Sequence, residues 1–250
     1  MIARVPCLSH VQPDDSVPVE QIGIVVPARN EVSSIGECLE GLSRAGSAVE
    51  VPVRVVVVAD SCTDGTAAEA RRAANQFRLA FDVVEVERRS VGAARRAGAD
   101  HLLVRLGCRG TWLATTDADS VAPDTWLAAQ LRHAALGASM VVGPVDVVDW
   151  SMRPEGLGRA ARDAYRCAVR PHIHGANLSF RADAYRRAGG FAAIDADEDV
   201  GLVTSFLAAG ENVVWAGPPV VTSARRDARA GAGFGAYLDD LETSMAAGRP

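Results

Sequence analysis

Two carboxylates one residue apart, Asp117 and Asp119, follow the apolar Trp112, Leu113 and Ala114 in the stretch TTDADS. Along an extended chain, side chains i and i+2 point to one face, so the two like charges crowd each other and require a compensating cation. A hard divalent ion such as Mg2+ or Mn2+ suits them. It prefers oxygen ligands and commonly takes one or two carboxylates, with substrate phosphates completing the shell. The same spacing equally describes a solvated turn whose acids cap the following helix. A further acid, Asp60, closes the run VVVVAD. A carboxylate there can accept hydrogen bonds from a base or a ribose, or simply cap a turn. Asp197, Glu198 and Asp199 open a predicted helix in DEDVGL. They complement the helix dipole and also offer a general base for an attacking hydroxyl.

These acids need a frame. IGIVVPARNE begins with a buried-strand pattern from Ile22 to Val26, stopped by Pro27. A helix follows, with Ser33 or Ser34 as its cap, Ile35, Leu39 and Leu42 on one face and Gly46 as its stop. Val51 to Asp60 reads as a central parallel strand because its β-branched run is nearly continuous. SCTDGT is a polar turn in which Asp64 and Thr66 turn and cap the chain. Next come the helix AAEARRAANQF, the strand FDVVEVE, the helix SVGAARRAGADHLLVRL and the strand TWLATTD. Alternating strand and helix predicts an α/β fold: a Rossmann-like, mostly parallel sheet with helices on both faces and ligands at the carboxyl ends of the strands. Beyond it, APDTWLAAQLRHAALG reads as helix, SMVVGPVDVVDW as one strand, and ANLSFRADAYRRAGGF as a short strand and a helix ending at Gly189 and Gly190. A helix from DEDVGL and a strand NVVWAGPPVV follow.

Composition excludes several classes. The chain of 250 residues is 48% hydrophobic, enough for one sizeable core. Its net charge of −5 gives no basic footprint for nucleic acid, although every one of the 26 basic residues is Arg. Cys7, Cys38, Cys62, Cys108 and Cys167 are scattered and show no thiolate zinc spacing, which suits a reducing cytoplasm. No long apolar run predicts a signal peptide or a membrane span, and peripheral contact with a membrane stays open. We expect a leader over 1–20, a main domain over 21–224 with a nucleotide-binding half to about 120 and an acceptor half beyond it, and an Arg- and Gly-rich flap or tail helix over 225–250.

In order along the chain, IVVPARNE, VVVVADSCTDGT, SVGAARRAGAD, TTDADS, GANLSFRADAYRRAGGF and DEDVGL resemble the landmarks of family 2 glycosyltransferases of the GT-A fold, over about residues 22–215. The resemblance implies transfer of a sugar from a nucleoside diphosphate sugar to an acceptor hydroxyl, usually with Mn2+ or Mg2+ and usually with inversion. On that reading Pro27, Arg29 and Glu31 border the nucleoside, with Glu31 at the ribose, and Asp60 recognises the base. Arg95 lies near the donor, where Gly92 allows close backbone approach. Asp117 faces the donor and Asp119 binds the metal. The acidic pair aligns best as Glu198 and Asp199, which makes Asp199 the candidate base and Glu198 the next. His174, Gly175 and Asn177 fall on the acceptor side. The alternate spacing of His172 and His174 would also suit a metal, an acceptor lining or an ordinary loop. Arg225, Arg226 and Arg229, ahead of AGAGFG, form either a glycine-hinged flap over the diphosphate or a solvated tail.

The sequence departs from the pattern where Ser61 and Cys62 replace the usual glycine-serine, and it has no QxxRW segment. The latter favours transfer of a single sugar over polymer extrusion. A retaining transferase on the same fold and a non-catalytic nucleotide-sugar-binding partner protein are the alternatives. A nucleotidyltransferase is disfavoured by the lack of a Gly-rich, Lys-bearing phosphate loop near the first strand.

Overall fold

The computed structural model describes residues 17–77, 79–167, 172–225 and 234–246. The first half alternates as β1 (Gln21–Ala28), α1 (Ile35–Ser47), β2 (Val53–Asp60), α2 (Thr66–Phe77), β3 (Ala80–Val86), α3 (Val91–Leu106) and β4 (Thr111–Thr115). The second comprises α4 (Trp126–Ala135), β5 (Met140–Val142), β6 (Val145–Asp146), α5 (Leu157–Cys167), β7 (Leu178–Arg181), α6 (Ala182–Arg187), α7 (Glu198–Ala208), β8 (Val213–Trp215), β9 (Val220–Val221) and α8 (Phe234–Ala246).

Seven strands form one sheet in the order β3-β2-β1-β4-β7-β5-β8. Only β7 runs antiparallel to its neighbours, so the expected mostly parallel sheet is present. The valine run of β2 feeds two cores at once. Val55 and Val57 pack with α1, α2 and α4, while Val56 and Val58 pack with α3, α6 and α7. A strand covered on both faces has no polar face to show, which is why its sequence reads as continuous valine. Each such side chain contributes about 1.5–3 kcal/mol by its burial.

Two expected strands divide. SMVVGPVDVVDW breaks at Gly143-Pro144 into β5 and β6, and NVVWAGPPVV breaks at Gly217-Pro218 into β8 and β9. Proline donates no ladder hydrogen bond, and Gly217 turns with φ of 103°. Both chains therefore leave the large sheet together and pair again as the small parallel ribbon β6-β9. That ribbon carries residues 220–225 back over the carboxyl end of β4, where Val221 bridges Val121 and Ser120 Oγ donates to Thr222 Oγ1 at 3.0 Å. Helix α1 also runs past the expected stop at Gly46 to Ser47. A third, smaller core joins Val147, Ala161, Ala224 and Leu238, with Trp150 and Tyr237 against it.

Candidate active site

The carboxyl ends of β1, β2 and β4 open onto a cavity of about 580 Å3. Pro27, Arg29, Glu31, Asp60, Arg95, Asp117 and Asp119 line one side of it, and His174, Gly175, Asp199 and Arg225 are also in its wall.

Backbone strain concentrates around these acids. Among the described residues, Asn30, Ser61, Arg89 and Asp197 are the non-glycine positions with φ between 53° and 59°. Asn30 precedes Glu31, Ser61 follows Asp60, Arg89 lies in the loop that Asp60 holds, and Asp197 precedes Glu198 and Asp199. Left-handed backbone costs non-glycine residues about 1–3 kcal/mol and persists where surrounding bonds impose it. Here the imposing bonds are visible. Asn30 Oδ1 accepts the Thr63 N–H at 2.7 Å, and Asp60 accepts the N–H groups of Arg88, Arg89 and Ser90 at 2.7, 2.9 and 2.9 Å. Burial by itself would raise the Asp60 carboxyl, but those donors, with Ser61 Oγ, hold it below its ordinary value. Asp60 thus shapes the loop between β3 and α3 at the cavity wall.

Glu31 is fixed through the second strand-helix turn. Its N–H donates to Thr66 Oγ1 at 2.7 Å, while Asp64 accepts the N–H groups of Thr66 and Val32 at 3.0 and 3.2 Å. Asp64 therefore holds the turn, as its sequence suggests, while the Thr66 hydroxyl ties the turn to Glu31. Ser34 occupies the N-cap position of α1, but its hydroxyl donates to Glu31 Oε2 at 2.7 Å instead of capping the backbone. Cys62, at a departure from the family pattern, accepts from Asn30 N and donates to the Ala28 carbonyl, both at 3.4 Å, so the loop stays tied to β1.

The repulsion between Asp117 and Asp119 is answered by two arginines. Buried Arg95 donates to Asp117 Oδ1 at 2.6 Å and also pairs with Glu198. Arg225 grips Glu31 with both terminal nitrogens, and one of them lies 3.1 Å from Asp119 Oδ2. Burial first, then the charge of Asp117, pushes the Asp119 carboxyl up to about 6, against the pull of Arg225. Arg225 is thus no solvated tail residue. Arg226 and Arg229, the rest of the expected flap, lie outside the described residues.

Glu198 and Asp199 part company at the start of α7. Glu198 also lines the cavity, but it is 3% exposed and committed to Arg95, and a buried, ion-paired carboxylate is a poor proton acceptor. Asp199 faces the cavity, accepting the Gly175 N–H on Oδ2 and the Val200 N–H on Oδ1, each at 2.7 Å. Gly175 has no room for a side chain, because Arg95 lies where a Cβ would stand, and its carbonyl accepts from Thr115 Oγ1 at 3.1 Å. The Asn177 amide accepts from Trp126 Nε1 at 2.8 Å and donates to the carbonyls of Pro144 and Pro218 at 2.7 and 3.1 Å, making it a buried strut between β5, β8 and α4. Gly92 permits a close approach of the carbonyls of Ala192 and Ile194.

His172 and His174 do not assemble a metal site; among the described residues no group of three or more His, Cys, Asp or Glu is arranged to hold an ion. Their rings lie parallel, 5.9 Å apart, and Tyr165 stacks on His172 at 4.0 Å. Burial lowers both imidazoles, His174 to about 4, so both are neutral at pH 7. Tyr165, Tyr237 and Thr222 are cavity residues that sequence reading missed, and nothing local in their segments marks them out.

The family model described as Glycosyl transferase family 2 matches residues 23–189. The chain belongs to that family. This family 2 glycosyltransferase is 34% identical over 109 residues to the dodecaprenyl-phosphate galacturonate synthase of Rhizobium johnstonii, a match to 42% of this chain and 30% of the relative. The mannosyltransferase PcManGT of Pyrobaculum calidifontis, solved with GDP-Man and Mn2+, superimposes with a TM-score of 0.62 at 26% identity, over 90% of this chain and 62% of that one. The chain therefore spans less than two thirds of either protein. The glucosyl-3-phosphoglycerate synthase of Mycobacterium tuberculosis, solved with Mn2+, UDP and phosphoglyceric acid, shares the fold with a TM-score of 0.57 at 16% identity, over 92% of this chain and 80% of that one. The chain accordingly has a GT-A fold. None of its described helices is long and apolar enough to cross a membrane.

The Arg95 pair also makes a stability prediction. Arg95→Met strands the Glu198 carboxylate in the core, and breaking a buried pair costs about 3–5 kcal/mol. Urea unfolding should show that loss; an unchanged midpoint would mean the pair carries no stability.

Proposed function

We propose that the chain is an inverting, metal-dependent glycosyltransferase that moves a sugar from a nucleoside diphosphate sugar to an acceptor hydroxyl. One observation carries the reading: Asp199 faces the same cavity as Asp117 and Asp119, while Glu198 beside it is locked to Arg95. Pro27, Arg29 and Glu31 border the nucleoside, with Glu31 at the ribose. Asp60 works on the base side by holding the 88–90 loop. The donor half spans about residues 21–120 and the acceptor half about 121–224.

Asp119, with Asp117 beside it, suits a divalent ion, because a crowded and partly buried carboxylate already balanced by an arginine is a site built for positive charge. When bound, Mn2+ or Mg2+ supplies Lewis-acid stabilisation of the charge gathering on the leaving diphosphate. Asp199 takes the proton of the acceptor hydroxyl as its oxygen bonds to the anomeric carbon. The bond from that carbon to the diphosphate breaks on the opposite side, and the nucleoside diphosphate leaves. The Gly175 N–H fixes the Asp199 carboxylate so that no reorientation is needed at that moment.

The test is a thermal-shift screen of uridine, guanosine, adenosine and thymidine diphosphate sugars, with and without Mn2+, on wild type and Asp119→Ala. A ligand that binds only the folded state raises the melting temperature, by about 2.7 kcal/mol of added stability at a hundred times its Kd. A Mn2+-dependent shift for one donor, lost in Asp119→Ala, is the expected result. No shift with any donor from a folded sample would remove the donor assignment.

A further inference from the structure

Beside the reaction cavity lies a second pocket of about 140 Å3, lined by Val145, Val147, Trp150, Ala161, Tyr165 and Tyr237, together with the exposed Asp146 and Arg162. Val145, Tyr165 and Tyr237 line both spaces, so one ligand can occupy the two together. Resting on the reading above, we propose that this side pocket receives an apolar group of the acceptor, of about six carbons, and that the acceptor is an amphipathic alcohol whose hydroxyl lies at Asp199.

The chemistry of the walls argues for such an occupant. Trp150 gives its indole N–H to the Val147 carbonyl at 2.9 Å and lays its ring on Gly158 of α5, where an added Cβ would stand 2.9 Å from the indole. The pocket therefore meets the aromatic carbons of Trp150 and not its donor. Val145, Val147 and Ala161 add only apolar atoms. A space of about 150 Å3 walled by apolar side chains admits a benzene-sized guest. The residues that the reading above gives to the nucleoside diphosphate, Arg29, Asp60, Asp117 and Asp119, line the larger cavity and not this pocket. Where the two spaces meet, Tyr165 stacks on His172, whose Nε2 is buried without a hydrogen-bond partner among the described residues. A polar group of the acceptor passing this point finds one neutral nitrogen to pair with. Apolar matter goes beyond it and the hydroxyl stays behind.

The probes are 1-alkanols from ethanol to octanol, which carry a hydroxyl and an apolar chain and nothing else. Their affinities are read by ligand-observed NMR on wild type and on two pocket-filling variants from separate elements, Ala161→Phe and Val147→Phe, each first shown to melt cooperatively. At about 0.8 kcal/mol per buried methylene, affinity in wild type should rise roughly fourfold per carbon, up to about six carbons, and then level off. In either folded variant the rise should flatten. Equal affinity for ethanol and hexanol in wild type, or the same rise in the folded variants, overturns the proposal. Where the donor screen succeeds, 1-hexanol should also yield its glycoside faster than ethanol in wild type and no faster in the variants. Chain-length-dependent binding without any glycoside would count against the transferase reading and leave the pocket assignment standing. Glycosides formed at equal rates from all alcohols would do the reverse.

Discussion

Asp199→Asn should leave donor binding intact and lower the turnover number by about 10^3, within the 10^2–10^4 range that a positioned general base contributes. The amide is nearly isosteric, and its oxygen can still accept the Gly175 N–H that Asp199 Oδ2 accepts at 2.7 Å. What it lacks is the capacity to take a proton. The loss should therefore appear in kcat with the donor-induced thermal shift unchanged. Glu198→Gln makes the contrast, because Glu198 is buried against Arg95 and its loss should appear first as instability. Full turnover in Asp199→Asn would sink the base assignment, and analysis of the product anomer would then decide whether the enzyme retains configuration.

The two acids show what a sequence can reveal and what it cannot. That a carboxylate lies at the start of α7 was legible from DEDVGL. Which one is taken up by an ion pair depends on helix phase, since neighbours on a helix point about 100° apart, and the partner, Arg95, lies 103 residues away from Glu198. The first half of the fold was legible because strand and helix there each keep one hydrophobic period, with β2 as the clearest case. The second half was read with strands too long. Gly143-Pro144 and Gly217-Pro218 were visible punctuation, but that both strands break and pair again as β6-β9 is a relation between distant segments. Asn177 is a similar case: its partners Trp126, Pro144 and Pro218 come from three places in the chain, and the local GAN carries no trace of them. Buried Arg153 shows it most plainly. In sequence it sits in the polar run SMRPEG, yet it holds the carbonyls of Ala224 and Arg225 at 2.7 and 3.0 Å and pairs with Asp239 and Glu242 of α8. It fixes the backbone from which Arg225 reaches the acids.

Arg225→Met should tighten Mn2+ binding in the absence of donor by about tenfold while slowing transfer. The guanidinium already holds Glu31 and lies 3.1 Å from Asp119, so an incoming ion must displace one charged contact to reach the carboxylate. Charge-assisted hydrogen bonds contribute about 1.5–3 kcal/mol each. Arg225 is about a quarter exposed, and solvent screening reduces the gain toward the lower end of that range, hence tenfold. The pH dependence carries the sign. The ion needs ionised Asp119, whose carboxyl stands at about 6 with Arg225 beside it, so Mn2+ affinity should fall as pH drops through 6 in wild type. Removing Arg225 takes away a charge that lowers this value, and the fall should then begin at a higher pH. Above that range the variant binds the ion better, and below it protons win sooner. Calorimetric titration of Mn2+ at pH 5, 6, 7 and 8 reads both effects. Unchanged affinity at pH 8 would show that Arg225 does not compete with the ion, and an unshifted pH profile would show that its charge is not felt at Asp119. Transfer slows for a separate reason: with Arg225 gone, one cation fewer faces the diphosphate as its negative charge builds.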